Sequence, residues 1–302
     1  MLIRGVVWDA TGPSLSCTTD DGDAAVPLSA GQWLRFGVHY GPRQCVGSFV
    51  VQGPTVSVHR RCPESAAAER GYQCGRCFAR DDFRYMHDFH RSGIAPAGLR
   101  AYLGQPHWLY IATFADGATK VGTASQRSKW SRLAEQGAVL AQYVALADDG
   151  RIVRQLEDLV TANLGLTQHI RSAAKAAALL EPLPAAELAA VNGRHAGAVR
   201  EILRGVGMAG FQTVREGWDR PALAAGLADP GAAPRERRHA YPSTLDDGGH
   251  GLLIRAMLGG YVLAGMDGID SDFVANLGQL KGRRITLGHH RSAVPIVQDS
   301  LF

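Results

Sequence analysis

The sequence contains no run of about eighteen apolar residues, the length that a membrane-spanning helix requires. It also has no basic and then apolar leader at Met1, so we expect a cytoplasmic protein that does not enter a membrane. No internal repeat is present. The net charge of the 302 residues is only +4, which permits a nucleic-acid partner but does not require one.

Cysteine is scarce, with five residues in the whole chain, but four of the five are clustered. Cys45, Cys62, Cys74 and Cys77 are separated by sixteen, eleven and two residues. Disulfides are disfavoured in a cytoplasmic protein, so metal binding is the better interpretation of this cluster. Two thiolates two residues apart, as in Cys74 and Cys77, bind one tetrahedral ion while backbone amides support the sulfurs. The sequence therefore predicts a zinc site.

The predicted zinc has a structural role, because four thiolates leave no open coordination position for a substrate. The polar segment 63–73 cannot form a core of its own, so the metal would supply folding energy there. His59 precedes Cys62 by three residues and is the alternative to Cys45 as the fourth ligand, although the sequence favours Cys45. The competing interpretation is four reduced cysteines, some of them merely buried. Cys17 lies in a predicted strand and is expected to be a small core residue.

Strand patterns occur at both ends of the chain. Apolar and polar residues alternate through the first fifty residues, and strand patterns with Asp-Gly and Gly-Gly turns return from Leu252 onward. Helical patterns lie between these ends, at 81–103 and at 173–203, the second broken by Pro182 and Pro184. We therefore predict an α+β fold in which the two ends of the chain pair in one β-domain.

The chain divides into five predicted segments, and its hydrophobic content of 46% is sufficient to fill a core. A stretch rich in Pro, Gly, Ala and Arg at 219–239 is expected to be a mobile linker. The predicted boundaries are 1–44 for an N-terminal β segment, 45–104 for a zinc-binding loop region with a connecting helix, 105–175 for an inserted α/β domain, 176–240 for a helical region and linker, and 241–302 for a C-terminal β segment.

The segment 107–157 carries the most informative pattern. Two strand-like runs flank an Ala-Asp-Gly turn at 115–117, and an Asp-Gly pair between alternating apolar residues is a strong hairpin signal. The first strand carries Tyr110, the second carries Lys120, and a basic helical segment with Arg132 follows. A tyrosine, a lysine, an arginine and a helical glutamate on one small α/β unit indicate phosphodiester chemistry.

Glu157 interrupts an apolar helical stripe. Apolar residues repeat at helical spacing on both sides of it over 153–164, so its side chain is predicted to face the body of the domain. A carboxylate on an inward face is costly unless it pairs with a cation or a metal. A structural salt bridge to Arg132 or Lys120 explains the pattern as well as a metal-binding role does. Either interpretation places Glu157 near Tyr110 and Lys120.

These motifs resemble two nested families. Four features resemble the GIY-YIG nuclease superfamily, and more closely its branch with lysine in place of the second tyrosine. They are the run WLY ending at Tyr110, the run KVG beginning at Lys120, the RL pair and the helical glutamate. The chain from residue 1 to about 175, and weakly its tail, is similar to the bacterial DUF2797 family of uncharacterised proteins. The shared motifs are GYxCxxCF at 71–78, HxxY at 107–110, KVG at 120–122 and RLxxQGA at 132–138.

The resemblance implies a Mg²⁺-dependent phosphodiesterase or nuclease whose GIY-YIG-like domain is inserted between the two β segments. Tyr110 would be the general base or would orient the attacking water. Arg132 would stabilise the charge of the transition state, and Glu157 would hold one Mg²⁺. Lys120 would stand in the place of the second tyrosine, where its ammonium would steady a phosphate oxygen or lower the pKa of Tyr110.

Four further residues are candidate substrate contacts. Arg127 and Lys129 make the helical segment basic, which suits an anionic ligand, although such a run usually forms a solvated face. Gln136 is either a helix cap or a substrate ligand, and its position before Gly137 favours the cap. His107 lies three residues before the hairpin tyrosine, so a strand places it on the opposite face, where a core or edge histidine is the favoured interpretation.

Three functions are compatible with these features. The first is a phosphodiesterase or nuclease that acts on DNA or RNA. The second is a non-catalytic, zinc-containing protein that binds nucleic-acid phosphates. The third is a GIY-YIG scaffold recruited to a small-molecule substrate. The inward carboxylate favours catalysis over simple binding, but a fold alone does not decide among these functions.

Overall fold

The computed structural model describes residues 1–228 and 238–293. The fold combines helices with several separate sheets, as predicted for an α+β protein. These ranges contain fifteen strands: β1 (Leu2–Asp9), β2 (Gly12–Thr18), β3 (Asp23–Pro27), β4 (Trp33–Val38), β5 (Ser48–Val51), β6 (Ser57–Arg60), β7 (His107–Thr113), β8 (Thr119–Ser125), β9 (Leu140–Ala147), β10 (Phe211–Gly217), β11 (His239–Ala240), β12 (Gly248–Leu258), β13 (Tyr261–Met266), β14 (Ile269–Asn276) and β15 (Ile285–Leu287).

The same ranges contain eight α-helices: α1 (Gly75–Arg80), α2 (Phe89–Ser92), α3 (Ala97–Leu103), α4 (Lys129–Gln136), α5 (Gly150–Leu164), α6 (Ser172–Ala178), α7 (Ala185–Arg204) and α8 (Ala225–Ala228). None of these helices is long and apolar enough to cross a membrane. The helical segment predicted at 81–103 consists of a 3-10 turn followed by α2 and α3. The segment predicted at 173–203 divides at its two prolines into α6 and α7.

The N-terminal strands form a three-stranded antiparallel sheet in the order β1-β2-β3. Alternate side chains of β2 are buried, including Leu15 and Cys17, both with no exposed surface. The alternation in the sequence thus reflects a sheet with one face against the core. Cys17 is the small core residue that the sequence predicted.

The two ends of the chain pair with each other, as the sequence predicted. β4 pairs with β12 in a six-stranded sheet of order β11-β14-β13-β12-β4-β15, and Leu34 lies opposite Leu252. The amino group of Met1 donates a hydrogen bond to the carbonyl oxygen of Ile285 at 2.9 Å. The N-terminal and C-terminal segments therefore share one core.

The predicted hairpin is formed by β7 and β8, which belong to a four-stranded antiparallel sheet of order β10-β9-β7-β8. Every residue of the central strand β7 is buried. Leu109 and Ile111 pack against α5 and α7 on one face, whereas Trp108 and Tyr110 join the core that contains the terminal sheets. Because both faces of the strand are covered, its sequence is almost continuously apolar. Tyr110 consequently lies between two layers of the protein.

The α/β unit is longer than the predicted segment 105–175. Helix α7 packs on the same sheet, and β10 pairs with β9 as its outer strand. Most side chains of β10 are exposed. The sequence of this edge strand therefore lacks the apolar alternation on which strand prediction depends.

Part of the predicted linker at 219–239 belongs to the core, so that prediction was wrong for residues 222–228. Ala224 and Leu227 are fully buried in a cluster with Ala256 and Leu263 of the C-terminal sheet. Their small and apolar side chains occupy one turn of 3-10 helix and α8, where composition alone suggested a flexible stretch. The linker prediction for 229–237 lies outside the described residues.

Candidate functional site

A cavity of about 790 Å³ lies where the four-stranded sheet meets β1, the cysteine-containing loops and the C-terminal sheet. Tyr110 of β7, Lys120 of β8, Arg132 of α4 and Glu157 of α5 all line this cavity. The structure therefore brings together four side chains that are up to 47 positions apart in the sequence.

Tyr110 is fully buried, and the residue opposite it on β8 is Gly122. A Cβ atom at position 122 would lie 2.5 Å from both Cζ and Oη of Tyr110. This separation is far below van der Waals contact, so glycine is required for the ring to occupy this place. Among the described residues, no group forms a hydrogen bond of ordinary geometry with the Tyr110 hydroxyl, whose oxygen is buried at the border of the cavity beside the Arg132 side chain.

Burial raises the pKa of Tyr110 to about 12, and the nearby Arg132 guanidinium opposes this shift only in part. The phenol is therefore neutral at physiological pH. The sequence suggested that Lys120 would lower this pKa, but the net shift is upward because the cost of burying a phenolate exceeds the attraction of the neighbouring cation. Tyr110 therefore carries a neutral hydroxyl group at the border of the cavity and not a phenolate.

Lys120 is a buried lysine on the edge strand β8. Its Nζ donates a hydrogen bond to the carbonyl oxygen of Gln168 at 3.2 Å and lies 5.9 Å from the centre of the Tyr110 ring. Burial and then repulsion from Arg132 lower the pKa of Lys120 to about 8, against the attraction of Glu157. Its amine is mostly charged at neutral pH and loses that charge slightly above it.

Glu157 lies inside the apolar stripe of α5, with only 3% of its surface exposed. Its ion-pair partner is Arg154, three positions earlier on the same helix. The expected salt bridge to Arg132 or Lys120 is therefore not formed, because the closer helical neighbour takes that position. Burial raises the pKa of Glu157 to about 7, although Arg154 and then Lys120 oppose the shift.

Helix α4 ends at Gln136, and Gly137 adopts a left-handed conformation with φ of +70°. This is the helix end that the sequence predicted. Gln136 also lines the cavity, and its carbonyl oxygen accepts a hydrogen bond from Nζ of Lys175 at 2.9 Å. Arg132, one turn earlier, is exposed on the same side of the helix. The C-terminal turn of α4 thus forms one wall of the site.

Six cationic side chains line the cavity, and only Lys120 and Arg132 were selected from the sequence. Arg154 carried a signal that sequence reasoning missed, because it precedes an inward glutamate by three residues on a predicted helix. No local sequence pattern identifies the remaining three cationic side chains, which come from loops near both ends of the chain and from α6. They are Arg43, Lys175 and Lys281.

Carboxylates and a histidine also line the cavity. Its two carboxylates are Glu135 and Glu157, so cations outnumber anions by six to two among the lining residues. His87 lies at the same cavity, and partial burial, Arg154 and Arg132 all lower the pKa of its imidazole. The ring is therefore neutral at pH 7 and does not offset the carboxylates. The resulting local charge suits an anionic ligand, although the charge of the whole chain is mild.

Three of the candidate substrate contacts do not line the cavity. Arg127 donates a hydrogen bond to the carbonyl oxygen of Thr55 at 2.6 Å and so holds a neighbouring loop. Lys129 forms an ion pair with Glu216 at 2.6 Å. His107 is buried on the face of β7 opposite to the hairpin tyrosine, as its spacing predicted.

The four clustered cysteines form a second candidate site. Their sulfurs all lie within 4.8 Å of one another, and the sulfurs of Cys62 and Cys74 are 3.9 Å apart. Neighbouring sulfurs of a tetrahedral zinc site, with Zn–S bonds of about 2.3 Å, are about 3.8 Å apart. The backbone amides of Gly47 and Cys77 donate hydrogen bonds to Cys45 and Cys74, each at 3.4 Å. This arrangement is compatible with a structural zinc.

His59 does not belong to this cluster. Its Nδ1 is 2.8 Å from a carboxylate oxygen of Asp23, and its Nε2 is 2.7 Å from the carbonyl oxygen of Val46. Both ring nitrogens are therefore engaged away from the sulfurs. Cys45, which the sequence favoured over His59, completes the set of four.

Comparison of the chain with protein-family models, with curated proteins and with solved structures gives no match. The chemistry of the cavity therefore has to follow from its own residues. The cavity combines a hydroxyl that lacks a partner, a buried carboxylate whose pKa is close to neutral, and an excess of cations. Such a combination is chemically suited to an anionic oxygen group and to a small nucleophile beside it.

Proposed function

We propose that the protein is a Mg²⁺-dependent phosphodiesterase of the GIY-YIG type that acts on nucleic-acid phosphodiesters. The observation that carries this proposal is that Tyr110, Lys120, Arg132 and Glu157 line one cavity although they come from four different elements. A core without a function has no need for a buried hydroxyl that lacks a partner or for a buried lysine beside it. Perturbed ionisable groups that converge in a cleft favour a catalytic site.

The cations of the cavity stabilise the phosphoryl group. Arg132 lines the cavity beside Tyr110 and forms no ion pair with any described residue, so its guanidinium charge is available to phosphoryl oxygens. Lys120 is anchored through the carbonyl oxygen of Gln168 and supplies a second positive charge at a fixed place. Donors held in advance near the oxygens that gain charge lower the barrier without reorganisation.

Tyr110 positions the attacking water. Because its pKa is about 12, the phenol retains its proton and acts through a hydrogen bond of its hydroxyl. Gly122 and the packed face of β7 fix the direction of that hydroxyl. Correct placement of the nucleophile supplies a large share of the rate acceleration in such reactions.

Glu157 fits the role of a Mg²⁺ ligand. Mg²⁺ sites in phosphoryl-transfer enzymes use one or two carboxylates together with waters and substrate phosphates, and Glu157 supplies one carboxylate at the cavity. When bound, Mg²⁺ polarises a phosphoryl oxygen and offsets the charge of the leaving group. The surrounding cations disfavour the metal alone, so we expect Mg²⁺ and an anionic substrate to bind together.

The test is incubation of the protein with Mg²⁺ and labelled DNA and RNA oligonucleotides. Wild type should cleave at least one substrate class, whereas Glu157→Gln should not. Glu201→Gln is the matched control, because Glu201 is exposed on α7 outside the cavity, and its activity should equal that of wild type. An inert wild type, or equal rates for wild type and Glu157→Gln, would reject the proposal.

We also propose that Cys45, Cys62, Cys74 and Cys77 hold one structural zinc. The sulfur distances and the two amide hydrogen bonds to sulfur support this assignment. The metal would also order one wall of the cavity, because Arg43 and Tyr72 line the cavity and each lies two residues before a cysteine of the cluster. The zinc would therefore affect ligand binding through this wall.

A further inference from the structure

Lysine is rare in this chain and is concentrated at the cavity. The sequence has four lysines against 28 arginines, and Lys120, Lys175 and Lys281 all line the cavity. The fourth, Lys129, lies over the ring of Trp108 at 3.4 Å and pairs with Glu216 outside the cavity. A lysine ammonium is a compact charge on a flexible stem that meets a phosphate as a point charge.

Besides Arg154, which pairs with Glu157, three of the cavity cations lie outside the proposed catalytic group. Nζ of Lys175 is 4.2 Å from the centre of the Phe114 ring, on the wall formed by α4 and α6. Nζ of Lys281 is 4.7 Å from the centre of the Tyr72 ring, and the guanidinium carbon of Arg43 is 5.9 Å from the same centre. Arg43 and Lys281 thus form a second group of positive charge around Tyr72, on walls contributed by the cysteine-containing loops and the C-terminal segment, whereas Lys175 on α6 lies closer in charge interaction to Lys120 and Arg132.

The positive charge of the cavity is not neutralised by the protein. Within the described ranges, Arg154 is the one cation of the six that forms an ion pair. Lys120 and Lys175 donate to carbonyl oxygens, as does Arg43, which donates to the carbonyl oxygen of Gln279 at 2.7 Å. Burial and then repulsion from Lys120 and Arg132 lower the pKa of Lys175 to about 7, so its amine is only partly protonated at pH 7 without an anionic ligand.

The size of the cavity limits what can enter it. A volume of about 790 Å³ equals that of a sphere about 11 Å across and lies within the range of small-molecule pockets, roughly 300–1,000 Å³. Duplex DNA is a stiff rod with a persistence length of about 150 bp and carries its phosphates on a convex surface, so it cannot fold its backbone into a cavity of this size. A short, flexible phosphodiester can bring its phosphates into the cavity, whereas the interior of a duplex cannot.

We propose that the ligand is a short nucleotide phosphodiester that carries a further terminal phosphate, such as a 5′-phosphorylated dinucleotide. The phosphodiester lies beside Tyr110 and Glu157, and the terminal phosphate lies at Arg43 and Lys281. This inference rests on the proposed function for the first of these two places. Tyr72 offers an aromatic surface beside Arg43 and Lys281 for a nucleobase. The same chemistry is available in a free dinucleotide and in the 5′-phosphorylated end of a single strand.

Binding without turnover tests the inference directly. In Mg²⁺-free buffer, the adenine dinucleotide pApA should bind at least about tenfold more tightly than ApA, which lacks the terminal phosphate. A single strand with a 5′-phosphate that binds as tightly as pApA would identify the strand end as the source, and one that binds more weakly would identify the free dinucleotide. Equal affinities for ApA and pApA, or an equally tight blunt duplex without terminal phosphates, would overturn the inference.

The four lysines provide a second readout on the unmutated protein. After acylation and mass spectrometry, pApA should reduce the labelling of Lys120, Lys175 and Lys281, whereas Lys129 serves as the internal reference and should not change. ApA should protect Lys281 less than pApA does. Protection of Lys281 that is the same for both dinucleotides, or no protection of Lys281 by pApA, would contradict the second phosphate position.

Single-residue variants separate the two phosphate positions. Lys281→Gln should weaken the binding of pApA by about tenfold and leave the binding of ApA unchanged. Arg151→Gln, at an exposed residue of α5 outside the cavity, should change the affinity for neither dinucleotide. Binding of pApA without hydrolysis of any phosphodiester would reject the proposed function and keep this inference. Cleavage of duplex interiors without preference for pApA would keep the function and reject this inference.

Discussion

The ring of Tyr110 lies directly against Gly122 on the neighbouring strand, where a Cβ atom would approach its hydroxyl oxygen to 2.5 Å. The two residues come from the first and second strands of the hairpin. Glycine at position 122 therefore leaves the space that the Tyr110 ring needs between the two layers of the protein. The Tyr110 hydroxyl is consequently buried at the border of the cavity, without a hydrogen bond of ordinary geometry to any described residue.

Gly122→Ala should displace the Tyr110 ring. Because the ring is fully buried and cannot move away freely, we expect the free energy of unfolding to fall by about 1–3 kcal/mol. Phosphodiester hydrolysis should fall as well, since the hydroxyl moves with the ring. Urea denaturation and initial rates measure the two effects.

The control for this substitution is Gly193→Ala in α7, where a Cβ would meet nothing within 4 Å. Alanine is favoured over glycine inside a helix, so stability should stay unchanged or rise by up to about 1 kcal/mol. If Gly122→Ala were as stable and as active as this control, the packing of Tyr110 against Gly122 would not be the feature that positions the hydroxyl.

Tyr110→Phe should raise stability, in contrast to Tyr143→Phe. The hydroxyl of Tyr110 is buried without a partner, so its removal should increase the free energy of unfolding by about 1 kcal/mol. Tyr143 lies beside it on β9, and its hydroxyl donates to the carbonyl oxygen of Lys129 at 2.8 Å. Loss of that bond should lower the free energy of unfolding by about 1 kcal/mol. Equal destabilisation of both variants would show that the Tyr110 hydroxyl has a structural partner.

Glu157→Gln should change how stability depends on pH. Burial raises the pKa of Glu157 from 4.5 to about 7, so the folded state binds this proton more tightly than the unfolded state does. Ionisation of Glu157 therefore costs stability progressively between about pH 4.5 and 7, and the full cost persists above pH 7. Glutamine does not titrate, so the variant should gain stability relative to wild type across this window, by on the order of 3 kcal/mol at pH 8.

Unfolding of both proteins at pH 5 and pH 8 checks this expectation. His87 and Lys175 also titrate with lowered pKa values, but both remain in the two proteins, and the difference between the proteins isolates Glu157. A difference in stability that is the same at both pH values, or that favours wild type at pH 8, would contradict the burial of an ionisable Glu157.

One zinc per chain should be present in the purified protein and should depend on Cys74. Cys74→Ser should lose the metal and destabilise the fold, because the loops around it have no core of their own. Cys17→Ser should retain the metal, since Cys17 lies in β2 and is not one of the four clustered cysteines. His59→Ala should also retain it, since both ring nitrogens are engaged elsewhere. Elemental analysis that finds zinc in Cys74→Ser, or none in His59→Ala, would contradict the four-cysteine assignment.

The sequence was informative where local patterns determine structure. The Asp-Gly turn predicted the hairpin, Gly137 predicted the end of α4, and the spacing of Cys74 and Cys77 predicted two adjacent sulfurs. In each case the conformation depends on residues a few positions apart. The inward position of Glu157 followed from helical spacing in the same way.

Features that depend on distant packing were not predictable from one sequence. Arg43 and Lys281 reach the cavity because the two ends of the chain pair, and no motif near either residue predicts that position. β10 joins the central sheet as an exposed edge strand without an apolar alternation. The pKa of Tyr110 rises because several layers of the protein bury it, whereas the sequence shows only that a cation is near.

The most direct test of the proposed function is the initial rate of Mg²⁺-dependent phosphodiester hydrolysis by Tyr110→Phe and Tyr143→Phe. The substrates are bis(4-nitrophenyl) phosphate and any oligonucleotide that wild type cleaves. We expect Tyr110→Phe to lose at least about a hundredfold in rate while it remains folded. Tyr143→Phe should keep the wild-type rate, because its hydroxyl lies outside the cavity. A wild-type rate for Tyr110→Phe would contradict the proposed function and place any hydrolysis at another site.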